Sequence, residues 1–183
     1  MDAPAFPPSP YSSAIGKSIS ESHTLSVLVD NEPGVLARVV GLYSGRGYNI
    51  ESLTVAEVAH AEHLSRITIV TSGAPEVIEQ ICHQLERLVP IHKVTDLTLT
   101  GRAIDRELAM VKVRGKGENR VESLRLSDAF RARVIDATTE SFVFEVTGNA
   151  AKIDQFVELM RPIGLVEVAR TGVAAITRGP DEM

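Results

Sequence analysis

The sequence predicts an α+β chain built of two tandem βαββαβ units. Three observations carry this. Apolar alternation of period two and apolar spacing of period 3.6 follow one another as strand, helix, strand, strand, helix, strand. The same order then recurs in the second half of the 183 residues. The tight turn at Ala59 to His63 makes a hairpin, whereas a single doubly wound sheet would need crossover connections throughout.

Residues 1–21 hold Pro7, Pro8 and Pro10 among Ser and Ala, with little apolar content to offset ordering. A disordered tail is expected. The first domain is read over 22–99. Leu25, Val27 and Val29 alternate as a strand that runs into Asp30-Asn31-Glu32-Pro33-Gly34. A helix follows from about Val35 to Arg46, with Val35, Leu36, Val39, Val40 and Tyr43 as its apolar face. Gly41 in its middle costs about 1 kcal/mol against Ala, which suggests the close approach of another backbone. Gly47 stops the helix, and Tyr48 to Val58 leaves as a strand. Leu64 to Thr71 returns as its hairpin partner. Ala74-Pro75-Glu76 opens a helix with Pro near its start and acid in the first turn. Val77, Ile78, Ile81, Leu85 and Leu88 give its apolar side, and Ile91 to Leu99 is the last strand.

Thr100 to Ile104 reads as a linker, and a second domain over 105–179 repeats the plan. Its strands are Glu107–Val113, Arg133–Thr138, Phe142–Thr147 and Val166–Arg170, with an extra one at Val173–Ile176. Its helices are Val121–Phe130 and a segment through Ile153, Phe156, Val157 and Met160 that Pro162 and Gly164 end. Each unit fits the ferredoxin-like arrangement, four antiparallel strands with two helices on one face. The bare face of the first sheet needs cover, most economically from a second copy of the chain.

Composition removes several classes of function. Hydrophobic residues make up 44% and charged residues 23%, as in an ordinary soluble, cored protein. A net charge of −5 gives no basic footprint for nucleic acid. Aromatics are 4% and Trp is absent, so stacking platforms are not expected. The single cysteine, Cys82, excludes a disulfide framework and reads as a small buried hydrophobe on a helix. No apolar run approaches the roughly 18 residues of a membrane span, and the start is no secretory signal. A cytoplasmic location is the expectation.

No catalytic or metal constellation stands out. His60 and His63 are two loop histidines without a Cys or fixed carboxylate beside them. Gly115-Lys116-Gly117 lacks the length of a phosphate loop, and Ser141 has no nucleophile elbow. Arg120, Arg125, Arg131 and Arg133 read as solvated positions and partners of Glu118, Glu122 and Asp128. The Pro33-Gly34 turn is different. It presents the N–H groups of Gly34, Val35 and Leu36 at a helix start, where a carboxylate is favoured. Asn31 and Asn49 stand at the entry and exit of the same unit, and an amide can accept from an ammonium and donate to a carboxylate. The plainer alternative is that Asn31 caps the helix and Asn49 supports the turn after Gly47.

At Asn31-Glu32-Pro33-Gly34-Val35-Leu36 and Arg46-Gly47-Tyr48-Asn49-Ile50-Glu51-Ser52-Leu53 the chain resembles an ACT domain, and specifically the regulatory small subunits of acetolactate (acetohydroxyacid) synthase. Arg106-Glu107-Leu108, Phe144-Glu145-Val146-Thr147-Gly148, Lys152-Ile153-Asp154 and Arg170-Thr171-Gly172 agree with it. The resemblance implies an N-terminal ACT domain followed by a C-terminal ferredoxin-like domain, in a homodimer formed through the ACT domains. It implies a non-catalytic partner that activates a catalytic subunit and makes it sensitive to valine. Thiamine diphosphate, FAD and Mg would belong to that subunit, and this chain would carry no cofactor. The effector would lie between two chains, with Asn31, Gly34, Val35 and Leu36 from one and Asn49 and Ile50 from the other. An ACT-type sensor serving a different enzyme or regulator is the alternative. An amino-acid-responsive transcription regulator would need a helix-turn-helix, which the sequence lacks.

Overall fold

The computed structural model describes residues 20–101 and 103–180. The expected tail therefore lies outside the described residues except at its end, where Glu21 is already in a strand. The first unit runs β1 (Glu21–Asp30), α1 (Val35–Arg46), β2 (Ser52–Ala59), β3 (Leu64–Gly73), α2 (Pro75–Glu86) and β4 (Ile91–Asp96). The second runs β5 (Ala103–Arg114), α3 (Glu118–Ala129), β6 (Arg133–Ala137), β7 (Ser141–Gly148), α4 (Ala150–Gly164) and β8 (Leu165–Arg170), with β9 (Ala174–Thr177) following. The sheet orders are β2-β3-β1-β4 and β6-β7-β5-β8, antiparallel throughout. These are the two ferredoxin-like sheets that the alternation predicts.

Each sheet buries its helix-facing side. In the first, Leu25, Val27 and Val29 meet Ile67 and Ile69 of the neighbouring strand and Val35, Val39, Tyr43, Ile78, Ile81 and Leu85 of the helices. In the second, Phe144, Phe156, Ile153 and Met160 are fully buried at the centre. Cys82 is half-buried on α2 as expected, and desolvation pushes its thiol up to about 11. A shift of that size leaves roughly a hundredth of the usual thiolate. Iodoacetamide at pH 8 should therefore label Cys82 about a hundredfold more slowly in the native chain than in urea.

Several boundaries differ from expectation. Tyr48 to Glu51 is not strand: the Asn49 carbonyl accepts from the Thr71 hydroxyl (2.6 Å), and the ladder begins only at Ser52. Pro162 does not end α4 but lies within its last turn, and the helix runs on to Gly164. The linker is shorter than 100–104, because Ala103 to Arg106 pairs with β9 as the first part of β5. That extension matters for the bare face of the first sheet. Val173 and Ala175 pack over Leu97 and Val70, so part of the cover comes from the chain's own second unit.

Gly41 meets nothing within 4 Å of where its Cβ would be, so no other part of this chain explains it. Gly41→Ala should raise the thermal stability of the isolated chain by about 0.5–1 kcal/mol, read from its melting curve. Among the arginines, Arg125 lies 3.7 Å from Glu122 as expected. Arg120 instead stacks 3.9 Å from the Phe142 ring centroid, and Arg133 pairs with Glu145 across the hairpin.

Candidate functional site

The turn before α1 is shaped by Gly34, which is the helix N-cap at φ +89°, a conformation that costs glycine little. No side chain caps the helix, and its first turn holds no acid. Asn31 therefore does not cap α1. Val35 N–H reaches back to Glu32 O at 3.4 Å, and Arg38 N–H bonds Gly34 O at 3.1 Å. Among the described residues, no hydrogen bond is made by the N–H of Gly34 or Leu36. These amides sit at the positive end of a three-turn helix with no anion of the chain on them.

Asn31 is held by its backbone, with its N–H donating to His63 O at 2.6 Å. Its side chain lies beside Glu57. His60 above all, with Asn31 and His63, holds the Glu57 carboxyl below the usual carboxylate range, despite some desolvation. His60 Nδ1 is 2.9 Å from Glu57 Oε1. The β2–β3 hairpin thus brings Glu57, His60 and His63 beside the turn. Sequence reasoning missed this company, since pairing register and not spacing places it. With the Asn31 amide donating toward Glu57, its carbonyl oxygen remains to accept from a cation.

Asn49 and Ile50 lie at the other end of α1. Thr71, which holds the Asn49 carbonyl, pairs with His23 near the start of β1, whereas Asn31 follows the end of that strand. A helix of 12 residues separates the two asparagines by about 18 Å. One chain therefore does not bring the six candidate residues together. Asn49 is exposed, and Ile50 packs partly against the core.

The wall expected from Val35, Leu36 and Ile50 is only partly present. The Val35 side chain is 4% exposed and belongs to the chain's own core, whereas Leu36 is 41% exposed. Leu36 and Val40 form an outward apolar stripe on α1, and Val55 and Val58 stand exposed on β2, the edge strand of the sheet. Among the described residues, no group of three or more His, Cys, Asp or Glu is disposed to hold a metal ion. Nor is any helix long and apolar enough to cross a membrane.

Comparison with known proteins gives this geometry its setting. Residues 25–93 match the family described as AHAS small subunit-like ACT domain. Residues 106–179 match the family described as small subunit of acetolactate synthase. A protein of Archaeoglobus fulgidus named "Probable acetolactate synthase small subunit" is 46% identical, over 86% of this chain and 97% of its own. The acetolactate synthase small subunit of Mycobacterium leprae is 42% identical, over 87% of this chain and 93% of its own. The crystal structure of the acetolactate synthase small subunit from Thermotoga maritima superposes with a TM-score of 0.78 at 38% identity, covering 88% of this chain and 99% of that one. Both halves of the chain, in sequence and in fold, thus match one kind of regulatory subunit, and the chain belongs to the acetolactate synthase small-subunit family.

Proposed function

We propose that this chain activates a thiamine-diphosphate-dependent acetolactate synthase catalytic subunit and makes it sensitive to valine, without catalysing a step itself. The effector site forms between two copies. Asn31, Gly34, Val35 and Leu36 of one chain face Asn49 and Ile50 of the other. The ACT domain spans 22–99 and the second domain 105–179, with the family matches falling inside those limits.

The observation that carries this reading is the separation of the two half-sites along α1. Each half is exposed and unfinished, so a second chain is needed to complete either. The amides of Gly34 and Leu36 take the effector carboxylate, which gains about 0.3–1 kcal/mol from the helix end, up to about 2 when partly buried. The Asn31 oxygen, with Glu57 behind it, suits the ammonium. Leu36 and Ile50 supply the apolar wall, while the Val35 side chain stays in the chain's own core and fixes the turn from beneath. Burying a branched side chain there adds about 1.5–3 kcal/mol, enough to prefer valine over alanine. Exposed Leu36 and Val40 on α1, with Val55 on the same side of edge strand β2, support a two-copy contact along the first unit.

Activation and inhibition are one equilibrium, which valine shifts by its difference in affinity for two arrangements of the dimer. Calorimetry of the chain against each of the twenty amino acids tests the effector, and pull-down from a cell lysate tests the partner. Valine should give saturable heat and the recovered partner should be acetolactate synthase. Saturable heat from an unrelated amino acid alone would favour the sensor-for-another-enzyme alternative.

A further inference from the structure

The Arg170-Thr171-Gly172 motif takes no part in the effector site, yet the structure ties it to that site's neighbour. β8 ends at Arg170, whose guanidinium is fixed by three bonds. Nε and Nη2 donate to the two oxygens of buried Glu107 at 2.7 and 2.6 Å, and Nη1 donates to Asp154 at 2.6 Å. Those bonds to Glu107, and then Asp154, raise the guanidinium further above its ordinary range despite partial desolvation. Thr171 is clasped to β5 from both sides. Its N–H donates to Leu108 O at 3.0 Å, and its Oγ1 accepts from Leu108 N–H at 3.1 Å.

The turn so fixed then crosses to the first unit. Val173 N–H donates to Ser52 Oγ at 3.0 Å, and Thr54 Oγ1 donates to Thr171 O at 3.4 Å. Gly172 between them has φ +81°, and a Cβ there would stand 2.7 Å from Ser52 Oγ and 2.8 Å from Thr54 Oγ1. Only glycine allows that approach without displacing the hydroxyls. A cleft of about 480 Å³ opens alongside, lined by Glu51, Leu53, Asp154 and Arg170 among others. Ser52 is two residues from Ile50. The first strand residue after the effector loop is thus one of the two to which the Arg170–Val173 turn is bonded.

We propose that the Arg170–Val173 turn is the coupling element through which the state of the Asn49–Ile50 loop reaches the second unit. This rests on the effector reading above. The loop is tied to β3 by the Thr71 hydroxyl on Asn49 O, by the Glu51 amide on Val70 O and by Ser72 on the Glu51 carboxylate, so a ligand that pulls on Asn49 loads these bonds and moves Glu51 and Ser52 with it. On the other side, the triad of Glu107, Arg170 and Asp154 gives the turn no slack. A shift at Ser52 is therefore passed to β8 and the Leu108 segment of β5 as a rigid displacement.

The test uses the full-length chain with its catalytic subunit. Ser52→Ala combined with Thr54→Val removes both hydroxyls at the seam, and Gly172→Ala, made separately, pushes them away. Each variant should bind valine with the wild-type affinity by calorimetry and activate the catalytic subunit as before. Inhibition at saturating valine should be weakened at least about fivefold. Wild-type inhibition in both variants would overturn the proposal, as would loss of valine binding in both. Hydrogen exchange on the effector-free chain supplies a second arm. The Glu51 amide, which donates to Val70 O at 2.8 Å, and the Val173 amide should speed up together in both variants. Faster exchange at Val173 with Glu51 unchanged would also overturn it. If the wild type binds no valine, the effector reading fails on its own, and the exchange arm alone judges the seam.

Discussion

Gly34→Asp should abolish the response to valine while leaving activation of the catalytic subunit intact. The space around Gly34 is open, so the new side chain displaces nothing. The backbone at φ +89° is disfavoured for a residue with a Cβ, at about 1–2 kcal/mol, and Asp tolerates it better than most. The larger effect is electrostatic. The new carboxylate sits among the amides that the effector's carboxylate needs, and two like charges about 4 Å apart repel by about 4 kcal/mol at an effective dielectric of 20. Even half of that lowers valine affinity by about thirtyfold. Calorimetry and inhibition assays should both register the loss, while the specific activity of the reconstituted enzyme without valine stays near wild type. Full inhibition of the variant would mean that the effector binds elsewhere.

The second large effect concerns stability. Gly164→Ala should destabilise the second unit strongly. Gly164 ends α4 at φ +132°, and a Cβ there would come within 2.1 Å of Arg114 O, at the end of β5. Backbone has to give way, either the carbonyl of the central strand or the helix end. Strain and overpacking each cost about 1–3 kcal/mol, so a loss of about 3 kcal/mol is expected. For a chain of this size that lowers Tm by about 6–12 °C. The contrast with Gly41→Ala is diagnostic, since the same change on open helix surface should stabilise. A Gly164→Ala chain that melts with the wild type would contradict the tight approach of α4 to β5.

Much of the architecture was legible in the residues themselves. Leu25, Val27 and Val29 alternate because one face of β1 is buried, and Ile67 and Ile69 mirror them on β3. What periodicity could not separate was adjacent apolar pairs on α1. Val35 and Leu36 differ by one position, yet one fills the core and the other faces outward, because a helix turns by about 100° per residue. The wall assigned to both is therefore only Leu36. Tyr48 and Ile50 have the pattern of a strand, yet β2 begins only at Ser52, because the Thr71 hydroxyl takes the carbonyl between them. The first part of β5 has no local signature, since its partner β9 lies at the far end of the chain. The seam was not legible at all. The Arg170-Thr171-Gly172 signature is visible in the sequence, but the bonds of Thr171 to Thr54 and of the following Val173 to Ser52 span more than a hundred residues. Glu57 joined Asn31 by the same kind of long-range pairing.

A mixed dimer tests the two-chain effector site most directly. Gly34→Asp damages the half-site at the start of α1, and Asn49→Ala damages the half-site at its end. A dimer of either variant alone has both sites spoiled. A dimer holding one chain of each has one site with both defects and one with neither. Co-purified mixed dimers, selected by two affinity tags, should therefore recover valine binding at one site per dimer with wild-type affinity. Failure of the mixed dimer to bind, with each variant folded and dimeric, would contradict a site shared between two copies.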